Sequence, residues 1–161
     1  MPLKGAKRRT MLKLKIPPPA YMLIFAACMW LLNRYFPMHD VIPTAWRKAG
    51  LVIIGSAFLL DLSSLFLFFR RKTTPNPFSP EKASQLVTSG MYRITRNPMY
   101  VGLAVLLTGW AIYLGGLSPF LLIPLFIAVL TYQQIIPEEK ILQEKFGQAY
   151  LDYKKSVRRW L

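Results

Sequence analysis

The sequence predicts an all-α integral membrane protein with four transmembrane helices and both termini in the cytoplasm. Hydrophobic residues make up 53% of the 161 positions, and the mean hydropathy is +0.31. Positions 97–137 contain no charged residue, and as a helix they would extend for roughly 60 Å, enough for two membrane crossings. Basic residues are concentrated in three of the segments that flank the apolar runs. We therefore expect residues 1–161 to form a single membrane domain.

The first predicted crossing spans residues 17–36 and follows a basic tail at 1–16. Prolines at its start suit a helix N-terminus, where missing amide donors cost little. The run is too long for the apolar part of a cleaved signal peptide, so we expect it to remain in the protein. The second crossing spans 49–69 and carries small residues that favour close helix packing, namely Gly55, Ser56, Ser63 and Ser64.

Asp61 is the one charged residue within the second predicted crossing. A carboxylate inside a membrane is a candidate functional group by default. Asp61 is also only about three turns of helix from Arg70, so a shallow position from which the side chain reaches the interface fits equally well. The sequence leaves both interpretations open.

The third and fourth crossings, at 98–114 and 118–136, form a hairpin. Gly115 and Gly116 supply the turn. A cytoplasmic loop at 70–97 precedes the hairpin, and an amphipathic helix at 138–161 follows it. Apolar residues of that helix recur at three- and four-residue spacing, namely Leu142, Phe146, Ala149, Tyr150, Tyr153, Val157 and Trp160. We expect the loop and this helix to form the functional site together.

The distribution of basic residues sets the orientation. Six precede the first crossing, six lie between the second and third, and six follow the fourth, whereas three lie between the first and second. This asymmetry places both termini on the cytoplasmic side. The net charge of +14 therefore indicates contact with anionic lipid headgroups rather than a nucleic-acid partner.

Cysteine and histidine usage limits other kinds of site. The chain has one cysteine, Cys28, in the first crossing and one histidine, His39, in the outward loop. With a single cysteine and a single histidine, we expect no disulfide within the chain and no metal site. The single cysteine, together with the short loops, favours the inner membrane of a prokaryote. The oligomeric state cannot be predicted from these features.

Two polar clusters flank the hairpin, and the hairpin returns the second to the membrane face where the first begins. The first cluster contains Arg96, Asn97 and Pro98, and the second contains Glu138 and Glu139. Asn97 and Pro98 are typical of a helix start, where free amides attract anions. Arg96 beside them suits a fork of hydrogen bonds to a carboxylate.

The remaining polar and aromatic residues extend the same pattern. Tyr92 and Tyr100 suit contact with an adenine ring or a cationic sulfonium, and the two glutamates suit an amino group or ribose hydroxyls. A ligand with all these parts is S-adenosylmethionine. Each residue also has a simpler explanation, since Arg and Tyr are common at membrane interfaces and Glu favours helix starts. The residues alone leave the two explanations evenly balanced.

The chain resembles the isoprenylcysteine carboxyl methyltransferase family, within a broader group that includes phospholipid N-methyltransferases. The resemblance covers about residues 73–161, and the first two crossings match only in character. The motifs that carry it are Leu86-Val87-Thr88-Ser89-Gly90-Met91-Tyr92, Arg96-Asn97-Pro98-Met99-Tyr100-Val101-Gly102, Glu138-Glu139 and Phe146-Gly147-Gln148-Ala149-Tyr150-Leu151-Asp152-Tyr153.

The resemblance implies an integral-membrane methyltransferase that binds S-adenosylmethionine on the cytoplasmic side. Glu139 would lie beside the cofactor, and Arg96 joins the predicted site through its carboxylate-binding chemistry. The residues that the resemblance places around the cofactor are Ser84, Gln85, Leu86, Val87, Tyr92, Asn97, Pro98, Met99, Tyr100 and Glu138. No catalytic residue is assigned, and the candidates are Arg96, Asn97 and Glu139.

Two positions depart from the prenylcysteine-methylating members. Those members carry His where Asn97 stands, and asparagine does not titrate. They carry Arg where Gln134 stands, so the charge expected to meet a substrate carboxylate is missing. Gln134 stays a candidate for substrate binding. We therefore expect methyl transfer to a lipophilic or membrane-associated small acceptor, without choosing between oxygen, nitrogen and sulfur as the acceptor atom.

Two other functions fit parts of the sequence. Membrane sterol reductases resemble this family in their C-terminal helices and use a nicotinamide cofactor, but they have more helices than this chain. A small four-helix transporter or binding subunit would use Asp61 as its coupling carboxylate. That function would not need the polar apparatus on the cytoplasmic side.

Overall fold

The computed structural model describes residues 16–70 and 85–161, and this part of the chain is built from helices without a β-sheet. The prediction of an all-α fold is therefore confirmed. The helices are α1 (Pro18–Tyr35), α2 (Thr44–Arg47), α3 (Ala49–Arg70), α4 (Pro98–Leu114), α5 (Leu117–Leu130), α6 (Ile136–Phe146) and α7 (Gln148–Ser156), with a 3₁₀ turn at Gly90–Arg93 and a π turn at Thr131–Ile135.

Two helical stretches in the described part of the chain are long and apolar enough to cross a membrane. They are Thr44–Phe66 and Leu117–Phe146, and a shorter apolar helix spans Pro98–Leu114. Four crossings, and cytoplasmic positions for both termini, stay predictions. The basic tail at 1–15 and most of the predicted cytoplasmic loop, 71–84, lie outside the described residues.

Helix α4 is the centre of the packing. It contacts α3 most extensively and also packs against α1 and α5. The backbones of α3 and α4 approach closely at Gly50 and Gly109, where a Cβ added to Gly50 would lie 2.3 Å from the Gly109 carbonyl oxygen. Gly55, which we expected at a helix contact, faces open space instead. Ser56 and Ser63 are exposed as well, whereas Ser64 is buried, so Ser64 is the one of the four predicted small residues that lies on the packing face of α3.

A buried apolar cluster joins α1, α4 and α5. Its fully buried members are Met29, Leu107, Ala111, Phe126, Leu130 and Ile135. The indole of Trp110 donates a hydrogen bond to the carbonyl of Ala26 at 3.0 Å and ties α4 to α1. Burial of this apolar surface fixes the relative positions of the helices that carry the polar clusters.

The hairpin turn is closed from the outward loop. Gly115 has φ of +86°, in the left-handed region that favours glycine. Its carbonyl accepts hydrogen bonds from the amides of Val41 and Ile42, and the amide of Leu117 donates to the carbonyl of His39. The turn that connects α4 to α5 is thus fixed by the loop between α1 and α3.

The helix of the fourth predicted crossing continues beyond residue 136. Helix α5, the π turn and α6 form one continuous helical stretch, Leu117–Phe146. The π turn lies immediately before Pro137, whose ring would clash in a regular helix with the carbonyl four residues earlier. Widening the helix at this point lets it pass the proline without a break.

The amphipathic helix predicted at 138–161 is two helices followed by extended chain. Gly147 has φ of +54° and separates α6 from α7. Helix α7 ends at Ser156, and Val157 is extended. Residues 157–161 are called the strap below. The three- and four-residue spacing of apolar residues thus continues past the end of the helix.

Candidate functional site

The hairpin brings the two predicted polar clusters into direct contact. The hydroxyl of Tyr100, in the first turn of α4, donates a hydrogen bond of 2.5 Å to Oε1 of Glu138, in the first turn of α6. Tyr100 is buried and Glu138 is half-buried. Residues 38 positions apart in sequence therefore share one site at the end of the hairpin.

Glu139 is the centre of a group of cations. Arg159 donates two hydrogen bonds to it, from Nε to Oε1 at 2.9 Å and from Nη2 to Oε2 at 2.8 Å. Nη2 of Arg96 lies 3.1 Å from Oε1, and Nζ of Lys154 lies 3.8 Å from Oε2. Because Glu139 is only 6% exposed, these cations compensate a carboxylate that has lost most of its contact with water.

Arg96 keeps hydrogen-bonding capacity beyond this pair. Its Nε and Nη1 are buried and have no hydrogen-bond partner among the described residues. Buried donors without partners are costly, and they are common where a ligand binds. Each of these two donors could form a charge-assisted hydrogen bond to a carboxylate oxygen.

Asn97 occupies the N-cap position of helix α4, as predicted, but without the side-chain hydrogen bond that we expected. Its side chain makes no cap hydrogen bond, and Nδ2 donates instead to the carbonyl of Arg159 at 2.9 Å. The hydroxyl of Thr95 accepts from the amide of Asn97 at 3.2 Å. The Asn97 side chain therefore binds the strap instead of the free amides at the start of α4. Pro98 occupies the first position of α4, as predicted.

Aromatic residues form a second buried cluster beside these charges. Its members are Val87, Tyr92, Tyr150 and Tyr153, with Leu86 packed against them. The hydroxyl of Tyr153 donates to the carbonyl of Tyr92 at 2.7 Å, which connects α7 to the 3₁₀ turn.

The tyrosines of this cluster are neutral at physiological pH. Burial raises the pKa of Tyr150 to about 12. Burial also raises the pKa of Tyr92 far above its usual value, and the neighbouring Tyr153, Glu138 and Asp61 raise it further. The cluster therefore offers aromatic faces and neutral hydroxyls rather than phenolate charges.

Gln134 lies in the π turn and is 1% exposed. Its Nε2 donates to the carbonyl of Ile16 at 2.5 Å, while its Oε1 is buried without a partner among the described residues.

Asp61, in α3, also has a buried oxygen, Oδ1, with no hydrogen-bond partner in the described chain. The Asp61 carboxylate packs against Gly102, where there is no room for a Cβ.

The other predicted site residues lie in different environments. Pro98 is fully buried, Met99 is half-buried and Gln85 is exposed, whereas Ser84 lies outside the described residues. Sequence reasoning missed Thr95, Lys154, Arg159 and Trp160. The pair of arginines before Trp160, at the end of an amphipathic pattern, was the one available signal for the strap.

Comparisons with known proteins agree with this architecture. Residues 46–149 match the phospholipid methyltransferase family. The chain is 38% identical over 72 residues to a protein-S-isoprenylcysteine O-methyltransferase of Schizosaccharomyces pombe, covering 45% of this chain and 30% of the relative. It is 29% identical over 130 residues to protein-S-isoprenylcysteine O-methyltransferase A of Arabidopsis thaliana, covering 80% and 58%.

A relative with a different activity also matches. The chain is 27% identical over 158 residues to the delta(14)-sterol reductase of Mus musculus, covering 85% of this chain and 37% of the reductase. The chain thus spans less than two thirds of the length of each of these three relatives. No solved structure gives a significant match.

The family match extends over well over half of the chain and includes α3, α4, α5 and both polar clusters. It confirms the predicted family resemblance. The chain belongs to the phospholipid methyltransferase family.

Proposed function

We propose that this protein transfers a methyl group from S-adenosylmethionine to a lipophilic or membrane-associated small acceptor. The observation that carries the proposal is the meeting of the two polar clusters at one end of α4. There, two buried donors of Arg96 have no hydrogen-bond partner among the described residues. Family membership supplies the reaction class, and these donors supply a place for the carboxylate of the cofactor.

The residues of the site fit the parts of S-adenosylmethionine. Nε or Nη1 of Arg96 would donate a charge-assisted hydrogen bond to the carboxylate. The first turn of α4, from Asn97 to Tyr100, would line the ligand, and Glu138 would accept from an amino group or ribose hydroxyls. Tyr92 would offer an aromatic face, to adenine or to the sulfonium. The predicted contacts from residues 84–87 complete this proposed site.

The proposed topology places the site at the cytoplasmic face. Four helices (α1, α3, α4 and α5) would cross the inner membrane of a prokaryote, with both termini on the side where basic residues are concentrated. The end of α4 that carries Asn97 would then face the cytoplasm, from which the cofactor arrives. The acceptor would enter from the bilayer, since the site lies at the end of two apolar helices.

Alignment and exclusion of water would be the main contributions of the protein. The bound cofactor supplies a methyl group on a sulfonium, which is already a strong electrophile. The chain would hold that methyl near 3 Å from the acceptor atom, in a water-poor environment. The buried Oε1 of Gln134 suits an acceptor with a hydrogen-bond donor rather than a carboxylate, in line with the arginine that is missing at this position.

Calorimetric titration of the detergent-purified protein tests the proposal directly. We expect S-adenosylmethionine and S-adenosylhomocysteine to bind with micromolar affinity and NADPH to give no heat. Absence of binding by the first two, in protein that circular dichroism shows to be helical, would overturn the proposed cofactor.

Two alternatives keep specific support. The similarity to the sterol reductase favours a nicotinamide-dependent reductase, which NADPH binding in the same titration would indicate. The unpartnered carboxylate of Asp61 favours a transporter. That function predicts loss of transport in Asp61→Asn and indifference to changes at Tyr100 or Glu138.

A further inference from the structure

We propose that Arg159 is a positioning residue that keeps Arg96 available for the carboxylate of the ligand. This inference rests on the proposed function, because it concerns the same cofactor site. Arg159 belongs to the strap, which the sequence predicted to be the end of a helix rather than extended chain.

The strap is fixed to the chain just before α4 by backbone contacts. The amide of Arg96 donates to the carbonyl of Arg158 at 2.9 Å, and Thr95 and Arg158 form a parallel bridge. The hydroxyl of Thr95, which is fully buried, donates to the carbonyl of Arg159 at 3.2 Å. With the Asn97 contact described above, three consecutive residues, Thr95, Arg96 and Asn97, bind the strap.

The strap is also fixed to the core of the helical bundle. Nε1 of Trp160 donates to Oγ1 of Thr131 at 3.1 Å, at the start of the π turn, and its ring packs against the apolar cluster of α1, α4 and α5. Val157, at the other end, packs against the aromatic cluster. Arg159 is therefore held between two buried contacts and reaches Glu139 from a defined direction.

Arg159 donates one hydrogen bond to each carboxylate oxygen of Glu139, from Nε and Nη2. Arg96 is left with a single contact to the same carboxylate, through Nη2. An arginine facing a buried carboxylate alone would favour the two-bond arrangement. Without Arg159, Glu139 would be free to take a second donor from Arg96, and Arg96 would lose a donor for the ligand.

The test compares two ligands that differ in the carboxylate. S-adenosylhomocysteine carries it, and 5′-methylthioadenosine lacks the whole amino-acid portion. In Arg159→Ala we expect the affinity for S-adenosylhomocysteine to fall by about tenfold or more, with the affinity for methylthioadenosine nearly unchanged. Arg159→Lys keeps the charge without the fork and should fall between wild type and Arg159→Ala. Arg158→Ala is the matched control, since that side chain is exposed.

Equal losses for the two ligands would overturn the proposal, because they would indicate a general structural role. Unchanged affinity for S-adenosylhomocysteine in folded Arg159→Ala would also overturn it. A wild-type protein that binds neither ligand would instead reject the proposed function.

If the wild-type protein binds neither ligand, a measurement without ligand still tests whether Arg159 positions the segment around Arg96. Hydrogen exchange of peptides covering residues 95–101 should rise in Arg159→Ala and stay at the wild-type level in Arg158→Ala. Unchanged exchange in Arg159→Ala would show that Arg159 does not position this segment.

Discussion

At the scale of single residues, the two adjacent glutamates of α6 have different surroundings. Glu138 has a neutral partner, the hydroxyl of Tyr100. Glu139 is paired with cations, and its hydrogen bond to Arg159 raises the pKa of that guanidinium. We therefore propose that Glu138 contacts the ligand, whereas Glu139 compensates the positive charge around it.

Substitution of Glu138 should weaken cofactor binding without unfolding the protein. We expect Glu138→Ala and Tyr100→Ala each to lower the affinity for S-adenosylmethionine by about tenfold, because each removes a polar group from the ligand site. Calorimetry gives the affinity, and circular dichroism verifies the fold. Glu144→Ala on the same helix is the control, since Glu144 is exposed. Unchanged affinity in folded Glu138→Ala would contradict the assignment.

Substitution of Glu139 should act on stability. In Glu139→Gln the buried guanidinium of Arg96 loses its counter-charge, and a broken buried pair costs about 3–5 kcal/mol. We expect the thermal midpoint in detergent to fall by several degrees. The double variant Glu139→Gln with Arg159→Gln should recover part of the loss, since it removes one uncompensated cation. A single variant as stable as wild type would show that the pairing contributes little.

At the scale of helices, the contact between α3 and α4 depends on two glycines that approach each other. A Cβ on Gly109 would lie 2.7 Å from the carbonyl oxygen of Gly50, too close for either backbone to remain in place. Gly55 is also in α3 but has open space beside it. Within α3, therefore, Gly50 allows the close approach of α4, whereas Gly55 makes no close contact.

This difference gives a matched pair of substitutions. Gly109→Ala should destabilise the protein, because the helices must move apart. Gly55→Ala should leave stability unchanged or raise it by up to about 1 kcal/mol, since alanine favours helix more than glycine does. Thermal midpoints of the two variants in one detergent provide the comparison. If both behave alike, the close approach of α3 and α4 is not a determinant of stability.

The sequence predicted these helices far better than the contacts between the site and the strap. Long apolar runs and prolines identify α1 and α4 within one or two residues, because helices of this kind depend on local patterns. The strap is extended and contacts residues 62 and 64 positions away. Nothing local in Arg158, Arg159 or Trp160 encodes those contacts, so sequence reasoning extended the helix through them.

At the scale of the whole molecule, the candidate site depends on the hairpin of α4 and α5, which brings two distant parts of the chain together. The contact between Tyr100 and Glu138 shows that the two ends of the hairpin meet. Positive charge is concentrated on the side where they meet, and the loop that contains Asp40 and Arg47 lies at the other end of the hairpin. This arrangement predicts which loops a reagent outside the cell can reach.

Cysteine labelling in intact cells tests that orientation. Cys28→Ser removes the native thiol, and Met38→Cys or Gln143→Cys then adds one at an exposed position. A membrane-impermeant maleimide should label position 38 in spheroplasts without permeabilisation, because the outward loop carries few basic residues. Position 143 should react only after the membrane is opened. The reverse pattern would place the candidate site outside the cytoplasm, where S-adenosylmethionine is not made, and would count against the methyltransferase proposal as well as the topology.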